Sequence, residues 1–302
     1  MAFGYEGYVT VKASGIEDVA LCTGSSVPEN RIRLDSGAAY GGQKTNSAPS
    51  TYDMALGAPH TYDFSQVDGN VDFEITQEFF LNQIIAWLMS RQTAGVIKLR
   101  SRKDNLQEYD HCYWNSIDLT GTSGAAVTGS IGFVAIQRDA YTVGGDYIGN
   151  KTGTDLFCPI SPSPVMPPPL NPATDLNVNP VPFWNTRLNF DGTFHEFTDW
   201  NFSFSQDVVK FFVCQNESMP QPPAFMAVGP MAAAMNCTQM IVNTQSFMMP
   251  DTITLALLYI GTQAFGMGNL QRNQETDAVQ GKSSMVPIVS DYTIYELQGA
   301  VP

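Results

Sequence analysis

The residues that could carry chemistry in this chain are few and widely spaced. Three histidines stand at His60, His111 and His195. No two lie at a spacing that would set both imidazoles on one face of a helix or strand for a metal. His111 is followed by Cys112, and adjacent residues of a strand point to opposite faces, so the pair cannot share a ligand. The five cysteines, Cys22, Cys112, Cys158, Cys214 and Cys237, have neither zinc-site pairing nor a regular disulfide framework. They read as buried free thiols made in a reducing compartment. Gly121-Thr122-Ser123-Gly124 lacks the lysine and following helix of a phosphate loop, and no Gly-x-Ser-x-Gly elbow occurs. N-glycosylation triplets begin at Asn150, Asn201, Asn216 and Asn236 and follow from a composition rich in Asn, Ser and Thr.

Two carboxylates at a set separation are enough for glycoside hydrolysis, and Asp72 and Glu74 share one face of a strand. Their plainer role is to solvate an exposed sheet face, because the same pattern recurs later with Asn201 and Ser203 in their places. No catalytic residue, cofactor or metal is expected. Catalysis by a glycoside hydrolase remains the enzyme alternative.

The elements that position these residues are organised around a pattern written twice. Val71-Asp72-Phe73-Glu74-Ile75-Thr76-Gln77-Glu78-Phe79-Phe80 is echoed by Trp200-Asn201-Phe202-Ser203-Phe204-Ser205-Gln206-Asp207-Val208-Val209. Each copy alternates apolar with polar residues, the period of a strand with one buried face. Each then passes through Thr or Ser, Gln and an acid, a combination suited to a helix start. The expected helices cover about 77–91 and about 206–215. Strand-like runs follow both copies: 96–100, 113–120 and 129–137 after the first, and 224–228, 237–244 and 252–260 after the second. The order strand, helix, strand, strand, strand is therefore expected twice.

The 302 residues carry a formal net charge of −14 and are 43% hydrophobic, enough for two hydrophobic cores. A chain this acidic repels nucleic acid rather than gripping it, yet a surface past which DNA slides would also be acidic. Residues 98–103 (Lys-Leu-Arg-Ser-Arg-Lys) form the one basic cluster, read as a solvated strand edge. No apolar run reaches membrane-spanning length, and the N-terminus lacks the pattern of a signal peptide.

The domain organisation expected is a first domain over 1–140, a Pro-rich extended linker over 141–182, and a second domain over 183–302 ending in an arm. The fold class expected is mainly β, two duplicated β-sandwich or barrel domains each with one flanking helix. Residues 35–68 form a loop too long for a passive connection. Its tyrosines, Tyr40, Tyr52 and Tyr62, are candidate oligomer-interface residues. Asp72 and Glu74 are candidates for an exposed acidic strand face at a lumen or interface. Met226, Met231, Met235, Met240, Met248 and Met249 read mostly as core filling.

In this order of elements around Phe73-Glu74-Ile75-Thr76-Gln77 and Phe202-Ser203-Phe204-Ser205-Gln206, with the long loop 35–68, the chain resembles the tail tube proteins of tailed bacteriophages. The resemblance implies a structural virion protein, made in the host cytoplasm, that stacks as homo-oligomeric rings. It implies trimers with pseudo-sixfold symmetry around an acidic lumen through which DNA passes without specific binding. Other tail proteins, such as a sheath or baseplate, are the implied partners. A baseplate hub or tail-completion protein is the alternative within virions, and a two-module carbohydrate-binding or adhesion protein is the alternative outside them.

Overall fold

Strand-forming runs account for nearly all of the ordered architecture. The computed structural model describes residues 8–13, 18–27, 29–33, 62–75, 80–102, 105–135, 137–141, 147–150, 180–211, 225–242, 249–277 and 285–301. Among these the chain is mainly β, as expected, with one α-helix. The first half contains β1 (Tyr8–Lys12), β2 (Asp18–Ser26), β3 (Glu29–Arg33), β4 (Tyr62–Glu74), α1 (Phe80–Met89), β5 (Gly95–Arg102), β6 (Asn105–Thr122), β7 (Thr128–Ala135), β8 (Gln137–Tyr141) and β9 (Tyr147–Asn150). The second contains a 3₁₀ turn (Phe183–Asn185), β10 (Thr186–Phe190), β11 (Thr193–His195), β12 (Asp199–Phe211), β13 (Phe225–Val242), β14 (Thr252–Ile260), β15 (Gln263–Asp277) and β16 (Met285–Val301).

In the first half, antiparallel pairing runs β1-β2-β4-β7-β6-β5 and returns to β1. The barrel closes on itself, which removes its open edges. The first half thus completes its sheet within the chain. Val9, Phe73, Ile97, Leu119, Ile131 and Phe133 fill the interior. Each fully buried side chain of this size contributes about 1.5–3 kcal/mol. Gly121 to Gly124 makes the hairpin turn between β6 and β7, with Gly124 at φ +84°, a conformation glycine adopts without a Cβ clash.

Helix α1 follows from its apolar spacing: Phe80, Leu81, Ile84, Ile85, Trp87 and Leu88 are all buried, a stripe wide enough to face two layers at once. It ends where the Ser90 N–H and hydroxyl both donate to the Ala86 carbonyl. Gly95 then passes the Trp87 ring, where a Cβ would lie 2.9 Å from it.

In the second half the order is β12-β13-β16-β15-β14-β10-β11. The sheet curls until Phe204 of β12 meets Phe265 of β15, ring centroids 6.0 Å apart. Trp200 Nε1 of β12 donates to Thr186 Oγ1 of β10 at 3.1 Å. Met226, Met235 and Met249 are buried, in keeping with a core role.

Three expectations for this half are corrected. The stretch Gln206–Phe211, read as the start of a second helix, continues strand β12 and pairs with β13 from Gln206↔Met231 to Phe211↔Phe225. Residues 212–215 of that expected helix lie outside the described residues. The two strands expected at 224–228 and 237–244 are one strand, β13. Among the described residues the order strand, helix, strand, strand, strand is thus not repeated: β12 pairs with the next described strand, β13, whereas β4 is followed by α1.

The end of the Pro-rich stretch also differs from a spacer. Val181 is buried, its N–H donates to the Ile75 carbonyl at 2.7 Å, and its carbonyl accepts from Val127 at 2.8 Å. The chain is tied to the first barrel as it enters the second half. The two halves then join edge to edge, β6 pairing with β12 from Ser116↔Ser205 to Thr122↔Asp199.

Candidate functional site

The twofold periodicity of the two written copies has one geometric consequence that neither copy shows alone. Strands β4, β7, β6 and β12 are consecutive in one sheet, so both copies put their polar residues on the same outer face. Following the register across the sheet, Glu74 aligns with Thr128, Thr120, Asn201, Asn236, Asp291 and Gln274. One row away, Gly24, Asp72, Ser130, Asp118, Ser203, Ala234, Thr293 and Gln271 align. The row between them faces the other way and is core: Phe73, Leu119, Phe202, Met235 and Tyr292 are buried.

These rows span eight strands, β2-β4-β7-β6 from the first half and β12-β13-β16-β15 from the second. At about 4.8 Å per strand, the face is about 34 Å wide. It carries four carboxylates in the two rows, Glu74, Asp291, Asp72 and Asp118, and neither Lys nor Arg.

Short polar side chains bond to one another, mostly across the strands and once along β4. Asn201 Nδ2 donates to Thr120 Oγ1 at 2.8 Å, across the junction of the halves. Asn236 Nδ2 donates to Asp291 Oδ1, and Asn70 Nδ2 donates to Asp72 Oδ1 at 3.0 Å. Ser130 Oγ reaches Asp118 Oδ2 at 3.5 Å. Burial raises the Asp118 carboxyl above the usual carboxylate range, and the serine hydrogen bond opposes that shift. Within these two rows no cation stands among the donors and acceptors; farther along the same face of β4, Asp68 pairs with Lys210 Nζ of β12 at 2.7 Å.

Of the residues singled out by sequence, Asp72 is exposed and Glu74 half-buried in adjacent positions of these rows. Tyr62 opens β4, paired with Arg33, so the long connection ends there and residues 62–68 belong to the sheet. Tyr40 and Tyr52 lie outside the described residues, as do His60, Cys158 and Cys214. Sequence reasoning missed Asp118, Thr120, Asn236 and Asp291. The alternation Ser116-Ile117-Asp118-Leu119-Thr120 carried the same signal as Asp72 and Glu74, but only the register shows that the strands share a face.

Elsewhere, Cys22, Cys112 and Cys237 are free and buried. Burial pushes the Cys22 thiol up to about 11, a Gly24 backbone hydrogen bond opposes it, and Asp72 adds to it. Burial, with Asp291 alongside, raises Cys237 as well. His111 is exposed while Cys112 is buried, on opposite faces as expected. Among the described residues no group of three or more His, Cys, Asp or Glu is placed to hold a metal ion, and no helix is long and apolar enough to cross a membrane.

No family model matches the chain, and no curated protein matches it. Among solved structures it is similar to the anti-feeding prophage cap, described as the tube terminating cap. The identity is 11% and the TM-score 0.32, over 42% of this chain and 95% of that one. At that level the likeness bears on neither activity nor partners.

Proposed function

We propose that this chain is a structural subunit of a phage tail tube, and that its eight-strand polar face lines the passage for DNA. The observation that carries the reading is the pair of acidic rows crossing both halves without a lysine or arginine. Phosphate binding depends on cations that release counterions, so a surface of carboxylates, amides and hydroxyls lets a duplex move without adhesion. Each half supplies four strands to that face. Three copies edge to edge then make six similar positions from three subunits, a closed head-to-tail ring. Such a ring has a circumference of about 115 Å and is about 37 Å across between backbones.

Sedimentation velocity on the full chain over a wide concentration range tests the assembly. Rings or longer polymers forming with concentration are the expected result. A monomer that persists at high concentration, with its polar face open to solvent, contradicts it.

A further inference from the structure

The curl of the second half leaves a seam between β10–β11 and β12, and this seam is a cleft of about 510 Å³ lined by Trp184, Arg187, Phe194, His195, Glu196 and Trp200 among others. That volume lies within the ordinary range of small-molecule sites. Its most unusual feature is Trp184, which is 80% exposed although the backbone around it is fixed on all sides. The Phe183 N–H donates to the Ala125 carbonyl at 2.9 Å, Asn185 N–H to Pro182 at 2.9 Å, and Gly261 N–H to Asn185 at 2.9 Å. Thr186 Oγ1 donates to the Phe183 carbonyl at 2.6 Å. An exposed indole on a hydrogen-bonded stretch of main chain offers a face for stacking, with little backbone ordering left to lose when something binds. Phe194, 57% exposed and backed by Tyr259 at 5.9 Å between ring centroids, is a second platform across the cleft.

The polar groups narrow the ligand class. Trp200 Nε1 and Thr186 Oγ1 are already committed to each other and to the backbone. Arg187 and Glu196 supply one charge of each sign and make no ion pair with one another among the described residues. His195 sits between the Phe190 and Phe197 rings, at 5.1 and 6.2 Å, and burial lowers its pKa, so it adds no charge at neutral pH. The cleft is therefore near neutral overall, which disfavours a phosphate or other anion. A planar guanidinium and a carboxylate beside two exposed aromatic faces suit a ligand with apolar C–H faces and many hydroxyls.

We infer that this cleft is a binding site for a neutral saccharide, with one pyranose ring stacked on Trp184 and its hydroxyls bonded to Arg187 and Glu196. The inference does not depend on the tube reading, since none of the residues lining the cleft belongs to the polar rows.

The test is titration of the full chain with chitotriose, cellotriose, maltotriose and galactose, followed by tryptophan fluorescence and calorimetry. Saturable binding of at least one sugar is expected. Trp184→Ala should weaken it at least about tenfold, and Arg187→Ala or Glu196→Gln severalfold. Because Trp184 is exposed, its removal should leave the thermal transition unchanged. No saturable response to any of the four sugars overturns the inference, as does binding that survives Trp184→Ala. Loss of concentration-dependent self-association in Trp184→Ala, without sugar binding by the parent chain, also overturns it and assigns the cleft to a second copy.

Discussion

Gln206 Nε2 donates a 2.8 Å hydrogen bond to the main-chain carbonyl of Trp114, in a fully buried position between the two halves. Trp114 Nε1 in turn donates to the Trp87 carbonyl at 3.2 Å. Helix α1, the barrel and the second sheet are thus joined through one buried chain of polar contacts. Arg91, just beyond the helix, adds a second tie by donating to the Gly229 carbonyl at 3.1 Å. Gly229 precedes Pro230, before β13 begins pairing with β16 at Ala234, so the arginine serves a carbonyl that the β13–β16 ladder does not reach.

Gln206→Ala removes the donor from a buried carbonyl. An unsatisfied buried acceptor costs about 1–3 kcal/mol, so the denaturant midpoint should fall by that equivalent. Gln206→Glu should cost more, since it places a buried carboxylate against a carbonyl oxygen. Urea denaturation of both variants checks the order.

Gly121 faces Trp200 across the junction, and a Cβ there would lie 2.4 Å from the indole ring. Gly121→Ala therefore forces Trp200 off the Thr186 hydroxyl or separates β6 from β12. Overpacking of this kind costs about 1–3 kcal/mol. Gly124→Ala, in the adjoining turn where nothing lies within 4 Å, loses only its positive-φ preference. Thermal melts of the pair should show the larger loss at Gly121.

Asp118 is held on the polar face with its carboxyl pKa raised by burial. A group whose folded pKa exceeds its unfolded value favours the folded state at low pH, and that contribution is lost as pH rises through the folded value. At neutral pH the ionised Asp118 is therefore a burden on stability. Asp118→Asn should raise the melting temperature at pH 7, with the gain shrinking as pH falls toward 4.

Cys22, with its thiol pushed up to about 11, is neutral throughout the physiological range. By the same sign rule, the stability it contributes is complete below the ordinary thiol value of 9.0 and is lost as pH rises toward about 11. Iodoacetamide at pH 8 should label Cys22 far more slowly in the folded chain than in urea. Equal rates in the two states would contradict the burial.

On the proposed function, reversing the charge of the polar face, as Asp72→Lys with Asp118→Lys, should give DNA binding well above that of the parent chain. That binding should fade steeply with salt, because each new phosphate contact releases counterions. A filter-binding series from low to physiological salt measures both.

The strands at 96–100 and 113–120 and the buried alternation around Phe73 and Phe202 were legible in sequence, because one-sided burial imposes a period of two, whereas residues 62–68 and β9 were not read as strand. The continuation of β12 through Gln206–Phe211 was not legible, because Ser205-Gln206-Asp207 gave a local helix-start signal. Val208 and Val209 favour a strand, and β13 supplies a partner for it as far as Phe211. Pro230 lies within β13 but beyond the β16 ladder, where a strand tolerates proline. The barrel's self-closure and the alignment of Asp118 and Asp291 with Asp72 and Glu74 depend on register between distant strands. Periodicity names two faces without saying which strands share them.

Electron microscopy of the concentrated full-length chain, carried to a resolution that places β4, β6, β12 and β16, tests the central claim most directly. The account predicts a ring or tube whose inner wall is formed by the rows running from Asp72 to Gln271 and from Glu74 to Gln274. An assembly with those rows on its outer wall, or a chain that stays monomeric, would contradict it.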